Sequence, residues 1–212
     1  VSILVLILAT VLISYKGIQD SLFFRKYEFH IGSIQAGEQF RMFSSGFLHA
    51  DFQHLFFNMF TLYLFAPYVV FHFGNFYFFV LYFGSLLSGS LLTLYFHKNE
   101  YQYRAVGASG AVTGIIYSAI LIEPNIYMYG FMPGYVFGFL YLILSIYGMK
   151  TKRDNIGHVA HFGGAIGGFV VTLIKEPLLF TLQPFTVGAL LIPILVLFLS
   201  LIHISEPTRL RR

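Results

Sequence analysis

The stretch Ala105-Val106-Gly107-Ala108-Ser109-Gly110-Ala111-Val112-Thr113-Gly114 places one hydroxyl among small residues, where a polar loop turns into an apolar run. Gly107 and Gly110 leave little bulk around the Ser109 oxygen. A helix N-terminus at this point sets that oxygen beside unpaired backbone N–H groups that favour negative charge. Both features suit a nucleophile. The same residues also suit packing, because Gly110 and Gly114 stand at the i, i+4 spacing by which membrane helices approach closely. Some fifty residues on, His161 lies in the glycine-dense run Gly157-His158-Val159-Ala160-His161-Phe162-Gly163-Gly164-Ala165-Ile166-Gly167-Gly168, and an intramembrane histidine is a functional-site candidate. His54 and Asn58 form a third polar point, at i, i+4 on one helix face, open either to a functional role or to bonding between helices. Together these groups suffice for acyl transfer. Ser109 can attack a carbonyl while His161 takes its proton and later returns it to the leaving amine. The Ser109 N–H, His54 and Asn58 can donate to the oxyanion. No acidic residue stands on these helix starts to orient His161, so the arrangement is a Ser-His dyad.

Composition dictates where such chemistry takes place. With 57% hydrophobic and 10% charged residues, 26 Phe and 15 Tyr in 212 positions, and mean hydropathy +0.75, the chain is far from the quarter-charged average of soluble domains. It is predicted to be an integral, multi-pass, all-α membrane protein with the lipid bilayer as its surroundings. The net charge of +4 lies in short loops and does not point to nucleic acid. The chain has no cysteine, which excludes disulfides, thiolate metal sites and a cysteine nucleophile. A metal site built from His54, His158 and His161 would need a different donor set, because no His-Glu-x-x-His helix and no carboxylate stand at these starts. No metal and no cofactor are therefore expected.

Seven apolar stretches follow along the chain. The first reaches to about Ile13, short of the ~20 residues of a full span, and reads as truncated. A polar but Phe-rich segment from Ser14 to Gln53 is expected to fold at the membrane interface. Spans are predicted near 54–73, with Pro67 kinking it, and near 75–96. Further spans are predicted at 109–122, from Tyr127 or Gly134 to Tyr147, from Gly157 to just before Lys175, and over 178–200, interrupted by Pro184 and Pro193. The loop from Lys150 to Asn155 is short enough to act as a lid. Residues 201–212 break abruptly from the preceding pattern and read as a non-native tail. Successive spans reverse direction, so the second, fourth and sixth begin in the same leaflet, and their first turns carry His54, Asn58, Ser109 and His161. At 1.5 Å rise per residue all four lie within roughly 10 Å of one membrane face.

These residues resemble the rhomboid intramembrane serine proteases, of the bacterial type. The resemblance rests on Gly107-Ala108-Ser109-Gly110, on His54-Leu-Phe-Phe-Asn58, and on Ala160-His161-Phe-Gly-Gly164-Ala-Ile-Gly-Gly168, in the family's order. It covers the chain from the loop before His54 through Gly168. It implies a six-helix core over residues 1–175 and an added seventh helix over 176–200. It also implies a serine endopeptidase acting on transmembrane or membrane-anchored protein substrates near the outer face of a bacterial inner or cell membrane. By that resemblance Ser109 is the nucleophile, His161 the general base, and His54, Asn58, Gly107 and Ser109 the oxyanion and substrate side. Two departures stand out. Phe40-Arg41 replaces the Trp-Arg often found in the first loop. Thr113 occupies the place, four residues past the nucleophile, where an aromatic often stacks on the histidine. Thr113 and His158, the latter three residues before His161 on the same face, are candidate supports for the base. A catalytically inactive relative that binds transmembrane clients is the alternative.

Overall fold

The structure, a computed structural model, describes residues 1–128, 130–151 and 157–205. Helix α1 spans Ser2–Gln19, six residues beyond the end expected at Ile13. The extension is possible because its polar residues have partners. The Thr10 hydroxyl donates to Leu6 O (2.8 Å) and the Ser14 hydroxyl to Phe47 O (2.8 Å), so neither is buried unsatisfied. Leu6, Thr10, Ser14 and Gly17 form its one buried stripe, while Leu4, Val5, Leu8 and Leu12 stay exposed, as suits a helix facing lipid.

The first loop thus begins at Asp20, whose carboxylate accepts from the N–H groups of Leu22 and Phe23 (3.0 Å each) and caps α2, Ser21–Tyr27. Strand β1, Phe29–His30, leads to α3, Ile31–Gln35, and α4, Arg41–Ser44. Arg41 holds the segment together. Its guanidinium donates to the carbonyls of Arg25 (2.8 Å) and Glu28 (3.0 Å) and pairs with Glu38 at 2.6 Å. Phe29, Ile31, Ile34 and Met42 form a small apolar core of their own beneath it. A loop with its own core and bonding is ordered, as its aromatic content suggested.

Helix α5, Phe52–His97, starts at the Asp51 cap and contains two helical segments. They are separated by Gly74, whose φ of 84° is open chiefly to glycine. The break falls between the stretches expected at 54–73 and 75–96. Pro67 is carried inside the helix. Strand β2, Arg104–Ala105, pairs antiparallel with β1, Phe29 opposite Ala105 and His30 opposite Arg104, and Arg104 is also ion-paired to Glu28. Helix α6, Ser109–Ile122, is buried from Gly110 through Leu121. The hairpin of β3, Tyr127–Met128, and β4, Met132–Pro133, then fixes the start of α7, Gly134–Thr151, at the second of the two expected points. Helix α8 is His158–Lys175. The last apolar stretch divides into α9, Leu179–Leu182, and α10, Pro184–Ser205. Pro184 therefore opens a helix and Pro193 lies within one, so only the first of the two expected interruptions occurs. Most of the expected lid falls at 152–156 and most of the expected tail at 206–212, outside the described residues.

Among the described residues, three helices are long and apolar enough to cross a membrane: α1, α5 and α8. Ser109–Ile122, Gly134–Tyr147 and Pro184–Leu199 are shorter apolar helical stretches. The centre of the bundle is where α5, α6 and α8 meet. Close contact replaces bulky side chains there, and a Cβ on Gly164 would strike the carbonyl oxygen of Gly110. Polar side chains tie the same helices: Ser88 donates to Gly163 O (2.7 Å), Tyr77 to Val171 O (2.7 Å) and Thr172 to the Ser118 hydroxyl (2.7 Å). Helix α10 lies on the outside of α7, with Phe185 edge-on to Tyr135 at 5.0 Å.

Candidate active site

The starts of α5, α6 and α8 converge on one cavity of about 660 Å³, lined by His54, Asn58, Gly107, Ser109, Gly110 and His161 among others. Ser109 is the first residue of α6. Its N–H therefore belongs to the first turn, whose donors have no partner within the helix, and it points the positive end of the helix dipole at the cavity. The helix is 14 residues long, or ~21 Å at 1.5 Å per residue, against ~30 Å of hydrocarbon.

Gly107 shapes the floor. Its φ of 128° suits glycine alone, and a Cβ placed there would fall 2.9 Å from His54 Nε2 and 3.7 Å from Ser109 Oγ. The ring nitrogen and the hydroxyl thus border the same small space, which only an unsubstituted Cα leaves open. Asn58, buried, donates one amide hydrogen to His54 O (2.9 Å) and keeps a second donor for the cavity. Among the described residues no hydrogen bond joins Ser109 to His161. Both line the cavity, and catalytic hydrogen bonds commonly tighten only when substrate is bound.

The loop carrying Ser109 is anchored from outside the site. Gly107 N–H donates to Ser45 O (3.0 Å), and Ala108 N–H donates to His49 Nε2 (3.3 Å). Because that nitrogen accepts, the proton of His49 is on Nδ1. From there it donates to the Ser14 hydroxyl (2.9 Å), which passes its own hydrogen to Phe47 O. Burial, helped by the nearby His54 and opposed by Asp51, holds His49 down to about 3. It therefore stays neutral, the state this chain of bonds requires. His49 lies in the loop before α5, and its reach to the residue next to Ser109 was not visible in the sequence.

The two candidate supports stand differently towards His161. The ring of His158 is 6.3 Å from that of His161, edge to face, and His158 is not part of the cavity lining. Thr113 donates to Ser109 O (2.7 Å), and its hydroxyl is 3.4 Å from that of Tyr141. Tyr141, on α7, is the direct partner: its hydroxyl is 2.9 Å from His161 Nδ1 and its ring lies at 27° to the imidazole, centroids 5.9 Å apart. No group of three or more His, Cys, Asp or Glu side chains that could hold a metal ion occurs among the described residues.

The family model of the rhomboid domain matches residues 36–177, well over half of the chain. The chain belongs to the rhomboid family. The matched region runs from the first loop to just past α8, so it contains every cavity residue named above. A comparison with curated proteins found no match. This rhomboid-family chain is an all-α bundle and an integral membrane protein.

Proposed function

We propose that the chain is a serine endopeptidase that cleaves transmembrane or membrane-anchored protein substrates with a Ser109–His161 dyad. The observation that carries this reading is the meeting of Ser109, His161, His54 and Asn58 in one cavity, from three helix starts far apart in the sequence. Ser109 Oγ attacks the scissile carbonyl carbon as His161 Nε2 takes its proton. The oxyanion that forms is held by Ser109 N–H, the free amide hydrogen of Asn58 and His54, donors fixed in a space that lipid and protein keep poor in water. Collapse expels the amine, which takes the proton from His161, and water then releases the acyl chain by the same steps in reverse order. A helical substrate exposes no scissile carbonyl, so the preferred bond lies beside small or helix-breaking residues.

In this reading residues 1–175 form a six-span core made of α1, the two halves of α5, α6, α7 and α8, with α10 as an added seventh over 176–200. The protein is multi-pass and of the bacterial type. The alternative is an inactive relative that holds transmembrane clients in the same cavity. Cleavage of a fluorescent transmembrane substrate in liposomes, with Ser109→Ala and His161→Ala beside the intact chain, separates them. The dyad predicts cleavage by the intact chain and a loss on the order of 10⁴-fold or more in each variant. Folded protein without cleavage, or cleavage that survives Ser109→Ala, contradicts it.

A further inference from the structure

Resting on the protease reading, we propose that Tyr141 is the positioning residue of His161: with Thr113 it fixes the imidazole in the tautomer that leaves Nε2 free to accept the Ser109 proton. A base without a carboxylate partner needs some other group to set its tautomer. Here a short chain of contacts begins at a far end whose direction is fixed. The carbonyl of Ser109 can only accept, so the Thr113 hydroxyl spends its hydrogen there, at 2.7 Å. Thr113 Oγ1 is then left as an acceptor, and the hydroxyl of Tyr141, at a long 3.4 Å, is the group placed to donate to it. Tyr141 Oη is left as an acceptor for His161 Nδ1 at 2.9 Å, so the ring proton is on Nδ1 and the lone pair on Nε2.

The offset ring contact supplies the second restraint, because it opposes rotation of the imidazole about χ2. Thr113 is too small to stack on the histidine from its own helix, and the tyrosine of the neighbouring helix provides both ring and hydroxyl. The nucleophile's own carbonyl thus anchors the chain of bonds that orients its base.

The test is the imidazole ¹⁵N spectrum of histidine-labelled protein in micelles, the His161 signals assigned by their loss in His161→Gln, together with kcat and KM. Intact protein should show a protonated Nδ1 and a bare Nε2. Tyr141→Phe keeps the ring and removes the hydroxyl. It should mix the tautomers and lower kcat by roughly 10–100-fold with KM within about twofold. Thr113→Val should shift both readouts in the same direction by less. A proton on Nε2 in the intact protein, or Tyr141→Phe with spectrum and kcat unchanged, overturns the proposal. A rise in KM alone also overturns it, since Tyr141 would then be touching substrate. The spectrum needs no turnover, so an intact chain that cleaves nothing would count against the protease reading while the tautomer still decides the role of Tyr141.

Discussion

His54 and Asn58 differ from Ser109 and His161 in what their removal should cost. An oxyanion donor contributes only in the transition state, so His54→Ala and Asn58→Ala should each lower kcat by about 10²–10³-fold with KM little changed, in the same transmembrane-substrate assay. A rise in KM with normal kcat would show that they bind substrate rather than the oxyanion. His49 acts on stability instead. Its neutral ring accepts from Ala108 and donates to Ser14, and folding lowers it from 6.5 to about 3. Its contribution is therefore complete above about pH 6.5 and is lost as pH falls towards 3. In thermal unfolding in detergent, the difference in Tm between the intact chain and His49→Asn, which cannot titrate, should shrink across that window. A constant difference would contradict the assignment. Ser109, His161, His54 and Asn58 were legible in the sequence because each is a polar group at the start of an apolar run. Tyr141 was not: it is one of 15 tyrosines, it sits in the middle of such a run, and its partner is twenty residues away on another helix.

At the scale of elements, the packing of α6 against α8 determines whether Ser109 and His161 face one another. Backbone meets backbone at Gly164 and Gly110, with no room for a side chain. Gly164→Leu must push the helices apart and should lower stability by at least ~1–3 kcal/mol, with loss of the site. Gly188→Leu on α10, where a Cβ meets nothing within 4 Å, should leave Tm nearly unchanged. Equal Tm values for the two variants would show that α6 and α8 do not pack in this way. The starts of α6 and α8 and the break at Gly74 could be read from the sequence, because glycine and polar residues punctuate the apolar runs there. The end of α1 could not. Ser14 looks like a loop residue until its partners, Phe47 O and the His49 ring, are brought beside it by the folding of the first loop. The choice between Tyr127 and Gly134 for the start of α7 likewise depended on a hairpin too short to show a strand pattern.

For the molecule as a whole, orientation and catalysis are separate questions. Lys16, Arg25, Lys26, Arg41, Lys98 and Arg104 lie on the side where the cavity opens, and Lys175 lies at the opposite end of α8. This distribution runs against the tendency of basic loops to stay inside, whereas the rhomboid resemblance puts the cavity outside. The chain has no cysteine of its own, so Glu100→Cys and Glu176→Cys report cleanly. The family orientation predicts that a membrane-impermeant maleimide added to intact cells labels the first and spares the second. The reverse pattern would mean that the loop charges set the orientation. Neither outcome alters the chemistry, whose central claim is that Ser109 is a nucleophile made reactive by His161. The most direct measurement is reaction of the folded protein with a fluorophosphonate, followed by mass spectrometry of the modified peptide. The account predicts one adduct, on Ser109, which disappears in His161→Ala. No adduct on Ser109, or an adduct that forms equally fast without His161, would contradict it.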